Sequence, residues 1–238
     1  MTRPRLLDLF CGAGGAAAGY VRAGFDVTGV DIRPQPRYLL SGTSEFHQAD
    51  ALTFPLDGFD AIHASPPCQA YSIATATHAK ANHEQLVAPM LERLARRSVP
   101  WVLENVPGAP VPNPLVLCGA SFGLTTLDHL SGEPLVLRRH RLFGSSHLLF
   151  GMPCECAAYR LAGFTVGGVY GRGSGTLERA RSVRRGGYTP PVAVQRELMG
   201  IDWMPGEALD QAIPPAYTSW IGAQLVRVIR AIEAERVA

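Results

Sequence analysis

Apolar positions along the chain fall into short runs separated by polar or glycine-rich turns. Residues 5–10 (Arg-Leu-Leu-Asp-Leu-Phe) form the first run and read as a buried strand. Small residues, Cys11 to Gly15, follow, and Ala16 to Ala23 reads as a helix. Phe25 to Asp31, Glu45 to Ala49 and Phe59 to Ala64 predict three more strands, the first ending in Asp31 and the second followed by Asp50. His83 to Arg97 places Leu86, Met90, Leu91 and Leu94 on one helical face, and Val99 to Val106 predicts a fifth strand. Strands alternating with helices predict an α/β fold, a doubly wound and mostly parallel sheet covered on both faces.

The pattern changes after residue 144. Ten glycines occur between Gly144 and Pro191, with little helical periodicity and short β-rich pieces such as Phe164 to Tyr170. Helical spacing returns at Val192 to Met199 and at Ser219 to Glu235. The expected division is a main domain over 1–144, a small irregular β-rich lobe over 145–191, and a C-terminal segment, 192–238, returning to the main domain.

Composition narrows the class. The 238 residues are 47% apolar and 18% charged, enough for one sizeable core with a small appended lobe. No run of 18 apolar residues exists, and the N-terminus lacks the pattern of a signal peptide, so a cytoplasmic monomer with no membrane partner is expected. Five scattered cysteines argue against a disulfide framework. Cys154 and Cys156 form a Cys-x-Cys pair, but no second Cys/His pair stands nearby at finger-like spacing, so no metal is expected. The net charge is only +2, yet residues 133–191 hold nine arginines against Glu133, Glu155 and Glu178. That imbalance points to a polyanion or to a solvated arginine-rich surface.

Two segments carry candidate chemistry. Asp8-Leu-Phe-Cys-Gly-Ala-Gly-Gly15 runs from strand through a glycine-rich turn into helix, which lets backbone approach a ligand. Gly12, Gly14 and Ala17 also satisfy the loose G-x-G-x-x-A pattern, a weak sign alone. Asp31 closes the next strand, where an acid accepts ribose hydroxyls or else caps a helix; Asp50 is placed to face an adenine amine. A nicotinamide cofactor and S-adenosylmethionine both fit that much. Pro66-Pro67-Cys68-Gln69 follows the fourth strand, where two prolines stiffen the backbone before a thiol that is either a nucleophile or a buried structural cysteine. Glu104-Asn105-Val106 ends the fifth strand, so a carboxyl group should rise at the same sheet edge.

Together these segments resemble the DNA (cytosine-5) methyltransferase family, in a compact phage or bacterial form. Asp8 to Gly15 is similar to its cofactor motif, Pro66 to Gln69 to its nucleophile motif and Glu104 to Val106 to its Glu-Asn-Val motif. Arg139-His-Arg141 resembles its Arg-x-Arg motif, Gln195 to Gly200 the helix after its recognition region, and Ile213 to Gly222 its closing motif. The resemblance implies a Rossmann-like methyltransferase fold and S-adenosylmethionine bound by Phe10, Cys11, Gly12, Gly14, Gly15, Asp31, Ile32, Asp50, Ala51, Pro66, Gly222 and Ala223. It implies Cys68 as the nucleophile on carbon-6 of a flipped-out cytosine, Glu104 on the ring nitrogen, and Arg139 and Arg141 on the base oxygen or flanking phosphate. Double-stranded DNA would meet Gln69, Ser72, Arg160, Arg172, Arg181, Arg184 and Arg185, and the loop Ala70 to Asn82 would close over it.

Two positions depart from the family pattern: Leu137 where glutamine is usual before Arg-x-Arg, and Ala223 where the closing motif has asparagine. Ala223 predicts a looser cofactor pocket, and the short lobe predicts a recognition site of a few base pairs. Rival readings remain a tRNA cytosine-5 methyltransferase, a DNA-binding homologue without catalysis, and a nicotinamide oxidoreductase, which leaves Cys68 and Glu104 unexplained.

Overall fold

The computed structural model describes residues 2–72, 75–170 and 187–237. The apolar runs become the parallel strands β1 (Arg5–Leu9), β2 (Asp26–Asp31), β3 (Glu45–Gln48), β4 (Ala61–Ala64) and β5 (Trp101–Asn105). Two further strands complete a seven-stranded sheet in the order β3-β2-β1-β4-β5-β9-β6, with β9 (Arg141–Ser145) antiparallel to both β5 and β6 (Leu115–Leu117). This is the mostly parallel α/β sheet that the alternation predicted.

Successive strand residues point to opposite faces, and both faces are buried. Leu6 joins Tyr20 of α1 (Gly15–Arg22) and Tyr217, Ile221 and Leu225 of the long C-terminal helix in one core. Leu7 and Leu9 join Met90 and Leu94 of α2 (Val87–Ala95) in the other. Gly19 sets the spacing of the first layer. A Cβ there would lie 2.2 Å from the Pro215 carbonyl oxygen, so no larger residue lets the two helices approach this closely.

Two helix starts differ from the sequence expectation, and proline explains both. The helix expected from His83 begins at Val87, because Pro89 is tolerated only in the first turn, where its missing N–H had no partner. The C-terminal helix begins at Pro215, four residues before Ser219, because proline's fixed φ suits the first helical position.

A second sheet, ordered β11-β10-β8-β7, is built from β7 (Thr125–Asp128), β8 (Glu133–Leu137), β10 (Thr165–Gly167) and β11 (Gly187–Tyr188). A short helix, α3 (Cys156–Leu161), precedes β10, and α4 (Val192–Met199) packs Leu198 and Met199 onto Leu135 and Leu137. Half of this sheet thus comes from residues before 145, and its covering helix from residues after 191. The chain then passes through α5 (Gly206–Leu209) into α6 (Pro215–Val237). No helix among the described residues is long and apolar enough to cross a membrane.

Candidate active site

The order of the large sheet reverses between β1 and β4, so the loops leaving those strands diverge and open a crevice at their carboxyl ends. A cleft of about 1070 Å³ lies there. The loop after β1 gives it Phe10, Cys11, Gly12 and Gly15; the ends of β2 and β3 give Asp31, Ile32, Asp50 and Ala51. Pro66, Cys68 and Gln69 follow β4, and Glu104 and Arg141 come from β5 and β9.

The turn after β1 is left-handed at Phe10 (φ 57), Gly12 (φ 50) and Gly14 (φ 86). A Cβ on Gly12 would meet nothing within 4 Å, whereas one on Gly14 would stand 2.6 Å from Ser41 Oγ. Gly12 therefore keeps backbone open at the cleft, and Gly14 serves packing behind it. The Gly12 N–H donates to Asp31 Oδ2 at 2.9 Å, and the Arg33 N–H donates to Oδ1 at 2.9 Å. Each Asp31 oxygen retains a second lone pair. Asp50 is exposed and its Oδ1 accepts the Leu52 N–H at 2.8 Å. Ile32 is 67% exposed, an apolar surface at the cleft.

Three cleft carboxyl groups each keep one buried oxygen without a hydrogen-bond partner: Asp8 Oδ1, Glu104 Oε1 and Asp210 Oδ1. Burial, then the charge of Asp31, pushes the Asp8 pKa well up. Asp8 opens the segment similar to the cofactor motif but its hydrophobic run gives it no role of its own, and Asp210 lies in a turn without a motif.

Glu104 ends β5 fully enclosed. Burial raises its pKa, opposed by Arg141, Arg139 and a Ser65 hydrogen bond. Arg141 Nε lies 3.1 Å from Glu104 Oε1, an ion pair without hydrogen-bond alignment. Behind Glu104 runs a buried chain: Tyr20 hydroxyl to His63 Nδ1 at 2.9 Å, His63 Nε2 to Ser65 Oγ at 2.8 Å, and Ser65 to Glu104. Burial pushes the His63 pKa down to about 3, so the imidazole is neutral. The tautomer with the proton on Nε2 directs every donor toward Glu104.

Cys68 is half-buried. Its thiol pKa is raised by burial, lowered by Arg141, raised by Glu104 and lowered by Arg139. Asn105 holds the approach to Cys68 in place, donating from Nδ2 to the Pro66 carbonyl at 2.9 Å. The Tyr71 and Ser72 N–H groups fold back onto the Cys68 carbonyl, each at 2.9 Å.

Other expected residues lie elsewhere. Arg139 is buried outside the cleft, its guanidinium donating to the Asp210 and Val169 carbonyls. Burial, then Arg141, pushes its pKa down to about 9. It ties the second sheet to the segment before α6 and does not face the cleft. Gly222 and Ala223 lie inside α6, outside the cleft; Gly222 abuts Ala23, and Ala223 is exposed. Ala223 therefore leaves no hole in the cleft, and the approach to α6 contributes Gln211, Ala212 and Ile213 to it instead. Leu137 is a core residue of the second sheet. Arg160 is exposed on α3, and Ser72 is half-buried beyond Cys68. Arg172, Arg181, Arg184 and Arg185 fall outside the described residues. Cys154 and Cys156, set aside for want of a second pair, stand beside Cys118 and His140.

Comparison with known proteins adds three findings. The family model for C-5 cytosine-specific DNA methylase matches residues 4–113. Comparison with curated proteins returned no match. Among solved structures, a chain described as a DNA modification methyltransferase encoded within a prophage of E. coli superposes with TM-score 0.60 at 14% identity, covering 95% of this chain and 99% of that one. S. pombe Dnmt2 methyltransferase gives TM-score 0.57 at 14% identity, with 95% and 99% covered. Entamoeba histolytica methyltransferase EhMeth gives TM-score 0.52 at 11% identity, with 96% and 99% covered. At these identities the likeness is one of fold.

Proposed function

We propose that this chain, whose residues 4–113 match the family model for C-5 cytosine-specific DNA methylase, transfers a methyl group from S-adenosylmethionine to carbon-5 of cytosine in DNA. The observation that carries this reading is the meeting of Cys68, Glu104 and Arg141 at one wall of the cleft.

The cleft's donor set suits the cofactor. Asp31 has lone pairs left for ribose hydroxyls, Ile32 offers an exposed apolar face to adenine, and Asp50 stands for its amine. The unfilled oxygen of Asp210 suits a cationic methionine moiety, and that of Asp8, whose pKa burial raises, offers a further hydrogen-bonding position beside it. Bound there, S-adenosylmethionine supplies an electrophilic methyl group.

The remaining steps belong to the chain's own groups. Arg141 favours the Cys68 thiolate, which adds to carbon-6 of cytosine. Glu104, with its raised pKa, holds a proton toward N3, and the ring's electron pair becomes available at carbon-5. Once carbon-5 has taken the methyl group, its proton passes to solvent water, the electron pair of that C–H bond expels the Cys68 thiolate, and N3 returns its proton to Glu104, restoring the ring. The target atom is inside a duplex until its base is flipped out, and Gln69, which lines the cleft beside Cys68, would contact the DNA around that base. Arg160 and the arginines of 172–185 provide charge for phosphates, which positions DNA without reading it.

The test incubates the protein with methyl-labelled S-adenosylmethionine and either unmethylated DNA or bulk tRNA, beside Cys68→Ala. Label in 5-methyldeoxycytidine that vanishes with Cys68→Ala is expected. Label confined to tRNA would move the reaction to RNA, and label surviving in Cys68→Ala would remove the covalent step.

A further inference from the structure

Away from the cleft, three sulfurs and one imidazole converge. One ligand atom each from Cys118, His140, Cys154 and Cys156 lie within 4.8 Å of one another. Cys118 Sγ is 3.4 Å from Cys156 Sγ, and His140 Nε2 is 3.3 Å from Cys154 Sγ. No disulfide joins them; all are free cysteines. They arrive from separate places: the turn after β6, the link between β8 and β9, the loop before α3, and the first residue of α3.

The spacing suits one small ion. Metal–sulfur bonds of about 2.3 Å and a metal–nitrogen bond of about 2.0 Å, arranged tetrahedrally, set ligand atoms roughly 3.5–3.8 Å apart. An iron–sulfur cluster needs cysteines spread around several metal atoms. Three thiolates with one imidazole are also a soft donor set, matched to zinc rather than to magnesium or calcium. The backbone amides of Ala120 and Arg139 are hydrogen-bonded to the Cys118 sulfur, the outer support that a metal-bound thiolate uses.

We propose that Cys118, His140, Cys154 and Cys156 form a tetrahedral zinc site. Four protein ligands leave no open coordination position, so its role is structural. The cysteine thiols give up their protons as the ion binds. The ion pins the edge of the large sheet to the second sheet and to α3. It also grips His140 between Arg139, which anchors the segment before α6, and Arg141, which pairs with Glu104. The site thus fixes the strand that delivers Arg141 to the cleft. It stands on its own geometry, independent of the substrate methylated.

The experiment isolates full-length protein anaerobically from zinc-supplemented medium and measures metal by mass spectrometry. X-ray absorption at the zinc edge then reads the ligands. One zinc per chain with three sulfur neighbours and one nitrogen is expected. Cys154→Ser removes the most exposed ligand and should cut retained zinc at least ~100-fold in affinity, since even outer-shell changes cost 10–100-fold. Cobalt substitution of the unmutated protein should give the visible bands of a tetrahedral sulfur-rich site, a readout that survives if variants fail to fold. Absence of stoichiometric zinc, a Cys118–Cys156 disulfide in the anaerobic protein, or unchanged coordination in Cys154→Ser would overturn the proposal.

Discussion

Glu104 in the large sheet and Asp128 in the small one are hidden to a similar degree, 6% and 0% exposed, yet their oxygens are occupied differently. Asp128 closes the β7–β8 hairpin, accepting the Leu130 N–H at 3.1 Å on one oxygen and the Tyr188 hydroxyl on the other. It fastens β11 to that hairpin and is part of the frame. Glu104 keeps one oxygen unaligned with any donor and lines the cleft. That oxygen meets the Arg141 charge at 3.1 Å without hydrogen-bond alignment, which leaves it open to a ligand's donor in a way that a framework role gives no reason for. Burial of an acid therefore says little about function, while a carboxylate oxygen left without an aligned donor at a cleft says a good deal.

Mutations can break or sharpen this contrast. The largest effect should come from Cys68→Ala, which removes the proposed nucleophile and should lower methyl transfer at least ~10³-fold. Its thermal midpoint should stay near that of the unmutated protein, because a half-exposed thiol contributes little packing. Next, Glu104→Gln should slow transfer on the order of 10²–10³-fold while leaving stability unchanged or raised. Asp128→Ala should do the reverse, losing roughly 2–3 kcal/mol in urea unfolding with the folded fraction still active. Equal destabilisation by the two, with turnover intact in Glu104→Gln, would dissolve the contrast.

Asp8 extends the comparison to pH. Because burial raises its pKa, the folded chain holds that proton after the unfolded chain has released it. Stability should therefore fall as pH climbs from the ordinary carboxylate range toward the raised value. Asp8→Asn should flatten that decline, as followed by thermal midpoints across pH; an unchanged slope would place the proton elsewhere. The smallest effect is expected from Asn105→Ala, which frees the Pro66 carbonyl and should slow transfer about 10-fold, a loss equal to one hydrogen bond of roughly 1.4 kcal/mol.

Much of the large sheet was legible because its strands are buried on both faces and stand out as apolar runs between turns. That Cys68, Glu104 and Asp31 meet at one cleft was legible for a related reason: each lies at or just beyond the carboxyl end of a strand, and those ends in such a sheet share one edge. The second sheet was legible only in part, since β10 lies inside the β-rich piece Phe164 to Tyr170 while its other strands gave no sign. Its described strands are two to five residues long, too short for periodicity to separate strand from turn, and β7 and β8 precede the glycine-rich stretch that marked the lobe.

Local sequence thus determined the α/β alternation, the Pro66–Gln69 loop after β4 and the acid near the end of β5, since each depends on a run of neighbouring residues. Tertiary structure alone decided that Arg141 faces the cleft while Arg139, two residues away, faces inward to backbone carbonyls. It alone placed Ala223 on the outer side of α6 and gathered Cys118 and His140 beside Cys154 and Cys156. These outcomes depend on how one element packs against another far along the chain, and a side chain's direction at such a junction leaves no mark on its own neighbours in sequence.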